Sequence, residues 1–115
     1  MTFSNLFVRQ LKRGTLEMLV LALLEQRECH GYELAQLIEA RSRGRLTFHV
    51  TALYPALYRL EDAGLLTGRW VARAGQRKRR YYSLTPAGKR AIVRQRSDWR
   101  EFFKSLNQVI RPQEP

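Results

Sequence analysis

The spacing of apolar residues changes twice along this 115-residue chain, and those two changes fix the order of its elements. From Leu16 the apolar positions are Leu16, Leu19, Val20, Leu23 and Leu24, the i, i+3, i+4, i+7 recurrence of a helix face. Thr15 is placed to cap that helix, and Gly14 is expected to separate it from a short amphipathic helix over 4–11 carrying Leu6, Phe7 and Leu11. His30-Gly31 breaks the period, and a second helix over 32–41 turns Leu34, Leu37 and Ile38 inward. After the turn Ser42-Arg43-Gly44-Arg45, a third helix begins between Thr47 and Thr51 and ends at Gly64. Its buried ridge is Leu53, Leu57 and Leu60, with Pro55 expected near the first turn, where a missing N–H matters least. The second and third helices form a helix-turn-helix candidate.

Past Gly64 the period falls to two. Residues 65–72 and 81–84 read as strands, and the segment between them, Arg73-Ala74-Gly75-Gln76-Arg77-Lys78-Arg79-Arg80, as a basic turn. This is a β-hairpin with a positive tip, a wing. Thr85-Pro86 then supplies an N-cap with proline at the first helical position, and the helical period returns over 87–110. Along this last helix Ile92, Trp99 and Leu106 recur every seven residues, Phe102 and Val109 make the partner seam, and Phe103 and Ile110 flank it. A heptad stripe of this length asks for another helix, most simply its own copy in a second subunit. The expected fold is therefore mainly α with a small β-hairpin: a winged helix-turn-helix over 1–85 and a C-terminal dimerisation helix and tail over 86–115.

Composition narrows the function. The net charge is +11, which calls for an anionic partner. Residues 63–97 carry ten Lys and Arg and no acid, whereas 17–62 hold seven of the ten acids. The longest apolar run, Met18 to Leu24, is far short of the about 20 residues that span a bilayer. The N-terminus lacks the charged start of a signal peptide, so the cytoplasm is the expected compartment. Cys29 is the only cysteine, which excludes an internal disulfide and a multi-cysteine metal site; it reads as a packed, inert thiol. No glycine-rich phosphate loop, paired carboxylates or Ser/His/Asp set suggests an enzyme, and no cofactor or metal is expected. His30 and His49 read as helix-boundary residues.

The candidate functional residues follow from the division of labour in DNA binding, in which phosphate contacts supply affinity and base contacts supply specificity. The wing run Arg77, Lys78, Arg79 and Arg80 suits phosphates. The outward face of the third helix offers Thr51, Ala52, Tyr54, Pro55, Tyr58, Arg59 and Asp62, and its N-terminal residues are those a recognition helix sends into the major groove. Tyr54 can donate to a phosphate and Arg59 can pair with one; Tyr58 reads as a packed ring with its hydroxyl in water. Charge alone does not separate a DNA duplex from RNA or a membrane surface. A basic RNA-binding or membrane-surface protein without operator specificity is thus the rival reading. Helix plus wing suits the duplex DNA groove, since double-stranded RNA hides its major groove.

Four motifs in order carry a family resemblance: His30-Gly31-Tyr32-Glu33-Leu34, Leu53 to Glu61 (LYPALYRLE), Gly64-Leu65-Leu66, and Arg79 to Gly88 (RRYYSLTPAG). The chain resembles the PadR family of transcriptional regulators over roughly residues 13–110, in its compact form with a single C-terminal helix. The resemblance implies a homodimer, usually a repressor, whose third helix and wing hold double-stranded operator DNA, with Tyr32 and Tyr54 at backbone-contacting positions. Family members commonly carry Gly-Thr or Gly-Ser where this chain has Thr51-Ala52, a difference bearing on which operator is read. The resemblance also places Trp99 at the subunit interface. In some members that residue lines an effector cavity between paired rings, and Phe102 and Phe103 beside it point to a small aromatic effector; a plain interface aromatic is the alternative.

Overall fold

The computed structural model describes residues 5–113, with side chains from residue 14 onward. Its elements are α1 (Asn5–Leu24), β1 (Cys29–His30), α2 (Gly31–Arg41), α3 (Val50–Asp62), β2 (Leu66–Val71), β3 (Arg79–Leu84) and α4 (Pro86–Ile110). The helices α1, α2 and α3 pack around one core, closed on one side by an antiparallel sheet in the order β1-β3-β2. This is a winged helix-turn-helix followed by a long C-terminal helix.

Leu21, Leu34, Leu53 and Leu57, drawn from all three N-terminal helices, are fully buried together. Each removes a side chain worth about 1.5–3 kcal/mol from water. The expected break at Gly14 does not occur: α1 runs unbroken through it, and Thr15 lies inside the helix and does not cap it. A glycine within a helix costs about 1 kcal/mol, which the burial of Leu16, Val20 and Leu21 just beyond it outweighs. The expected inward residues Leu6, Phe7 and Leu11 fall among side chains outside the described residues.

The turn after α2 uses left-handed backbone at Arg43 (φ 56°) and Gly44 (φ 77°), and Ser42 Oγ accepts the Leu46 N–H at 2.9 Å. The chain then reaches α3, which starts at Val50, late in the expected interval. Pro55 consequently lies beyond the first turn, inside the helix. Its missing N–H leaves the Thr51 carbonyl without the helical donor four residues on, a carbonyl at the exposed N-terminal end of α3.

The hairpin is one strand richer than expected. Cys29 and His30 pair with Tyr82 and Tyr81 to make β1, and β3 begins at Arg79, so Arg79 and Arg80 belong to a strand and not to the turn. Cys29 is fully buried, and burial pushes its thiol up.

Thr85 joins the wing to α4. Its Oγ1 accepts the Gly88 N–H at 3.0 Å and donates to the Gly64 carbonyl at 2.6 Å. A Cβ on Gly88 would land on the Leu65 carbonyl oxygen, so glycine lets α4 lie directly against the start of the hairpin. Ala91 and Ile92, a turn further on, belong to the main core. Ile92, expected on the seam between subunits, is 1% exposed, and its place on that seam is corrected accordingly. The physical reason is that one stripe of α4 meets two surroundings. Its first turns face α1 and β3, whereas every residue from Arg100 to Gln113 is exposed.

Candidate nucleic-acid interface

The two helices of the helix-turn-helix are both capped by histidine. His30 Nδ1 accepts the Glu33 N–H at 3.2 Å while the Glu33 carboxylate accepts the His30 N–H at 3.3 Å, a reciprocal box with imidazole in the place usually held by Ser or Thr. Burial lowers the His30 pKa; the Glu33 carboxylate opposes that, and the Arg79, Arg27 and Arg73 cations reinforce it. His49 caps α3, its Nδ1 accepting the Thr51 N–H at 3.2 Å and lying 2.9 Å from the Thr51 hydroxyl. A hydroxyl donating there keeps its own lone pairs available to a donor outside the protein.

The N-terminal ends of α2 and α3 lie side by side. A Cβ on Gly31 would sit 3.1 Å from Tyr54 Cε1, so the glycine lets the Tyr54 ring lie over the start of α2. Tyr54 and Tyr58, one helical turn apart, have centroids 6.4 Å apart with rings inclined at 25°, and both are exposed. Tyr32 stands beside them, half exposed at the first turn of α2. A groove of about 380 Å³ separates these tyrosines from the wing, whose contribution is Trp70 and Arg77 to Arg80. Adjoining it, Arg73, Arg77 and Arg79 line a second concavity with Tyr32 and Gln36.

The structure therefore brings Tyr32, Tyr54, Arg77, Lys78, Arg79 and Arg80 to one groove, with Thr51 exposed at the adjoining end of α3. It does not bring Arg59 there. The Arg59 Nε donates to Glu17 of α1 at 2.7 Å, which holds the guanidinium against the body. Arg80 reaches the groove, yet it is paired with Glu61 of α3. Sequence reasoning passed over Trp70, which is 59% exposed with Lys78 and Arg80 over its ring at 5.9 and 6.0 Å. The available signal was its place on the strand before the basic run.

The separation of charge along the sequence is partly undone in space. Glu28 pairs with Arg69, Glu61 with Arg80 and Glu25 with Arg96, so acids of the helical segment neutralise cations of the wing and α4. Arg73, Arg77, Lys78 and Arg79 have no carboxylate partner among the described residues. These four cations sit together on and beside the turn of the wing.

Comparison with known proteins agrees with this fold. The model of the transcriptional regulator PadR-like family matches residues 20–94. A transcriptional regulator of Mycobacterium tuberculosis is 32% identical over 99 residues, covering 86% of this chain and 89% of that protein. A PadR family transcriptional regulator from Eggerthella lenta superposes with a TM-score of 0.80 at 30% identity, over 93% of this chain and 91% of that one. A Bacillus subtilis PadR solved in complex with operator DNA is alike in fold, with a TM-score of 0.64 at 24% identity, over 89% of this chain and 50% of that one. On the family match, which spans more than half its length, the chain belongs to the PadR-like family of transcriptional regulators.

Proposed function

We propose that this transcriptional regulator, which like its family is not an enzyme, binds double-stranded operator DNA as a homodimer in the cytoplasm and acts as a repressor. The observation that carries the reading is the grouping of Arg73, Arg77, Lys78 and Arg79, without carboxylate partners among the described residues, beside the exposed N-terminal end of α3. Cations of that kind neutralise phosphates, while Thr51 and Tyr54 stand where a recognition helix meets the groove. The operator complex of the Bacillus subtilis relative supports the same use of the fold.

The homodimer is supported by the outer half of α4. Phe102, Phe103, Leu106, Val109 and Ile110 are 54, 51, 38, 85 and 71% exposed in the single subunit, a stripe whose burial needs a second helix. Trp99 stands at its inner end, 5.0 Å from the Phe103 ring centroid and 6.3 Å from that of Phe102. This cluster suits a small flat aromatic effector that would relieve repression from the subunit interface.

Selection from a randomised duplex library tests the reading. The selected duplex should bind about 10³-fold or more tightly than a scrambled duplex, and sedimentation should show two subunits. Equal binding to double-stranded RNA, heparin and the selected duplex would favour the rival, a basic protein without operator specificity.

A further inference from the structure

We propose that Arg80 is a positioning residue that sets the spacing between the wing and α3, and is not one of the wing's phosphate contacts; this rests on the DNA-binding reading above. The hairpin register places Arg80 opposite Trp70, and Gly68 opposite Tyr82, on the sheet face turned toward α3. The Arg80 guanidinium lies over the Tyr82 ring at 5.5 Å and the Trp70 ring at 6.0 Å, and donates to the Glu61 carboxylate in the last turn of α3. The Arg80 and Glu61 side chains are only 31% and 27% exposed.

Gly68 makes this path available. A Cβ there would land on the Arg80 Nε, so any larger residue would push the guanidinium off its course to Glu61. The preceding residue, Arg79, lines the same groove but turns toward His30, which it meets at 3.4 Å, while Arg77 and Lys78 stand exposed at the turn. Four neighbouring cations thus have different tasks. Three are open to an external anion, and the fourth already has a carboxylate, two aromatic faces and a glycine floor. For Arg80 to grip a phosphate it would have to leave the partly buried Glu61 without its partner, which is unfavourable. Held in place, it ties the hairpin to the helix that enters the groove. The open cations then meet the backbone in register with the bases that α3 reads.

Salt dependence separates the two roles. Binding of the library-selected duplex and of a scrambled duplex is measured against salt for the wild type, Arg77→Ala, Arg80→Ala, Gly68→Ala and Glu61→Gln. Arg77→Ala should lower the magnitude of the salt slope by about 0.9, the loss of one phosphate contact. Arg80→Ala should leave the slope on the scrambled duplex at the wild-type value and reduce the preference for the selected duplex by about tenfold, on the order of one lost base contact. Gly68→Ala and Glu61→Gln should reproduce that loss, the first without removing any charge. A slope change in Arg80→Ala equal to that in Arg77→Ala overturns the proposal, as does tighter binding of both duplexes by Glu61→Gln, the mark of a freed phosphate-binding cation. A wild-type chain with no preference between the two duplexes would instead refute the DNA-binding reading itself, and this proposal with it.

Discussion

Ile92 and Val109 lie on the same heptad stripe of α4, yet their environments differ as widely as two apolar residues can. Ile92 is 1% exposed and Val109 85% exposed in the subunit. Truncating a buried isoleucine to alanine removes its transfer energy and leaves a cavity, together about 2–5 kcal/mol. That is a large part of the about 5–15 kcal/mol that holds a domain of this kind together. The surroundings of Ile92 place its cost high in this range. It sits at the meeting of α4 with α1 and the sheet, where Gly88 has already brought the backbones close and little room is left for collapse. Truncating Val109 removes almost no contact within the subunit, so its intrinsic cost stays within about 0.5 kcal/mol. Its effect belongs to association. Urea unfolding reads the first quantity and sedimentation equilibrium the second. Ile92→Ala should lower unfolding free energy by about 4–5 kcal/mol, and Val109→Asp should raise the dimer dissociation constant while each subunit remains folded. Weaker association with unchanged unfolding in Ile92→Ala, or a dimer as tight as before in Val109→Asp, would refute this division of roles along α4.

Two further outcomes follow. His30 has a lowered pKa in the fold, so the neutral ring is the stabilising form: its contribution is complete above the unfolded value of about 6.5 and is lost as pH falls through the folded value. His30→Asn retains a capping acceptor without a titration, and should remove that acid-side loss from a stability-against-pH profile; an unchanged profile would reject the role. In a Trp70→Phe background, a flat aromatic compound entering beside Trp99 should quench its fluorescence and loosen the selected duplex; quenching with unaltered duplex affinity would reject the effector role.

The elements legible in the sequence were those with a repeated pattern. Leu53, Leu57 and Leu60 specified the inward face of α3, and Thr85-Pro86 marked the start of α4, because burial and capping act on residues a few positions apart. Features built from distant residues left no such trace. β1 is two residues long, too short for alternation, and exists because β3 passes beside it. The pairs Arg59–Glu17 and Arg96–Glu25 span 42 and 71 positions, so nothing local marked those arginines as already engaged. Gly14 looked like a break because local propensity was weighed without the core that the helix beyond it buries. Ile92 shows a different limit: a heptad identifies the face of a helix that wants cover, and not whether its own chain or a partner supplies it.

On the proposed function, two subunits paired through the outer half of α4 set two α3 N-terminal ends on one face of a DNA duplex. Hydroxyl-radical footprinting of the selected duplex tests it most directly. Two protected patches separated by one helical turn, about 34 Å, or a multiple of it are expected, and both should be lost together in Val109→Asp. A single patch, or protection spread evenly along any duplex, would contradict it.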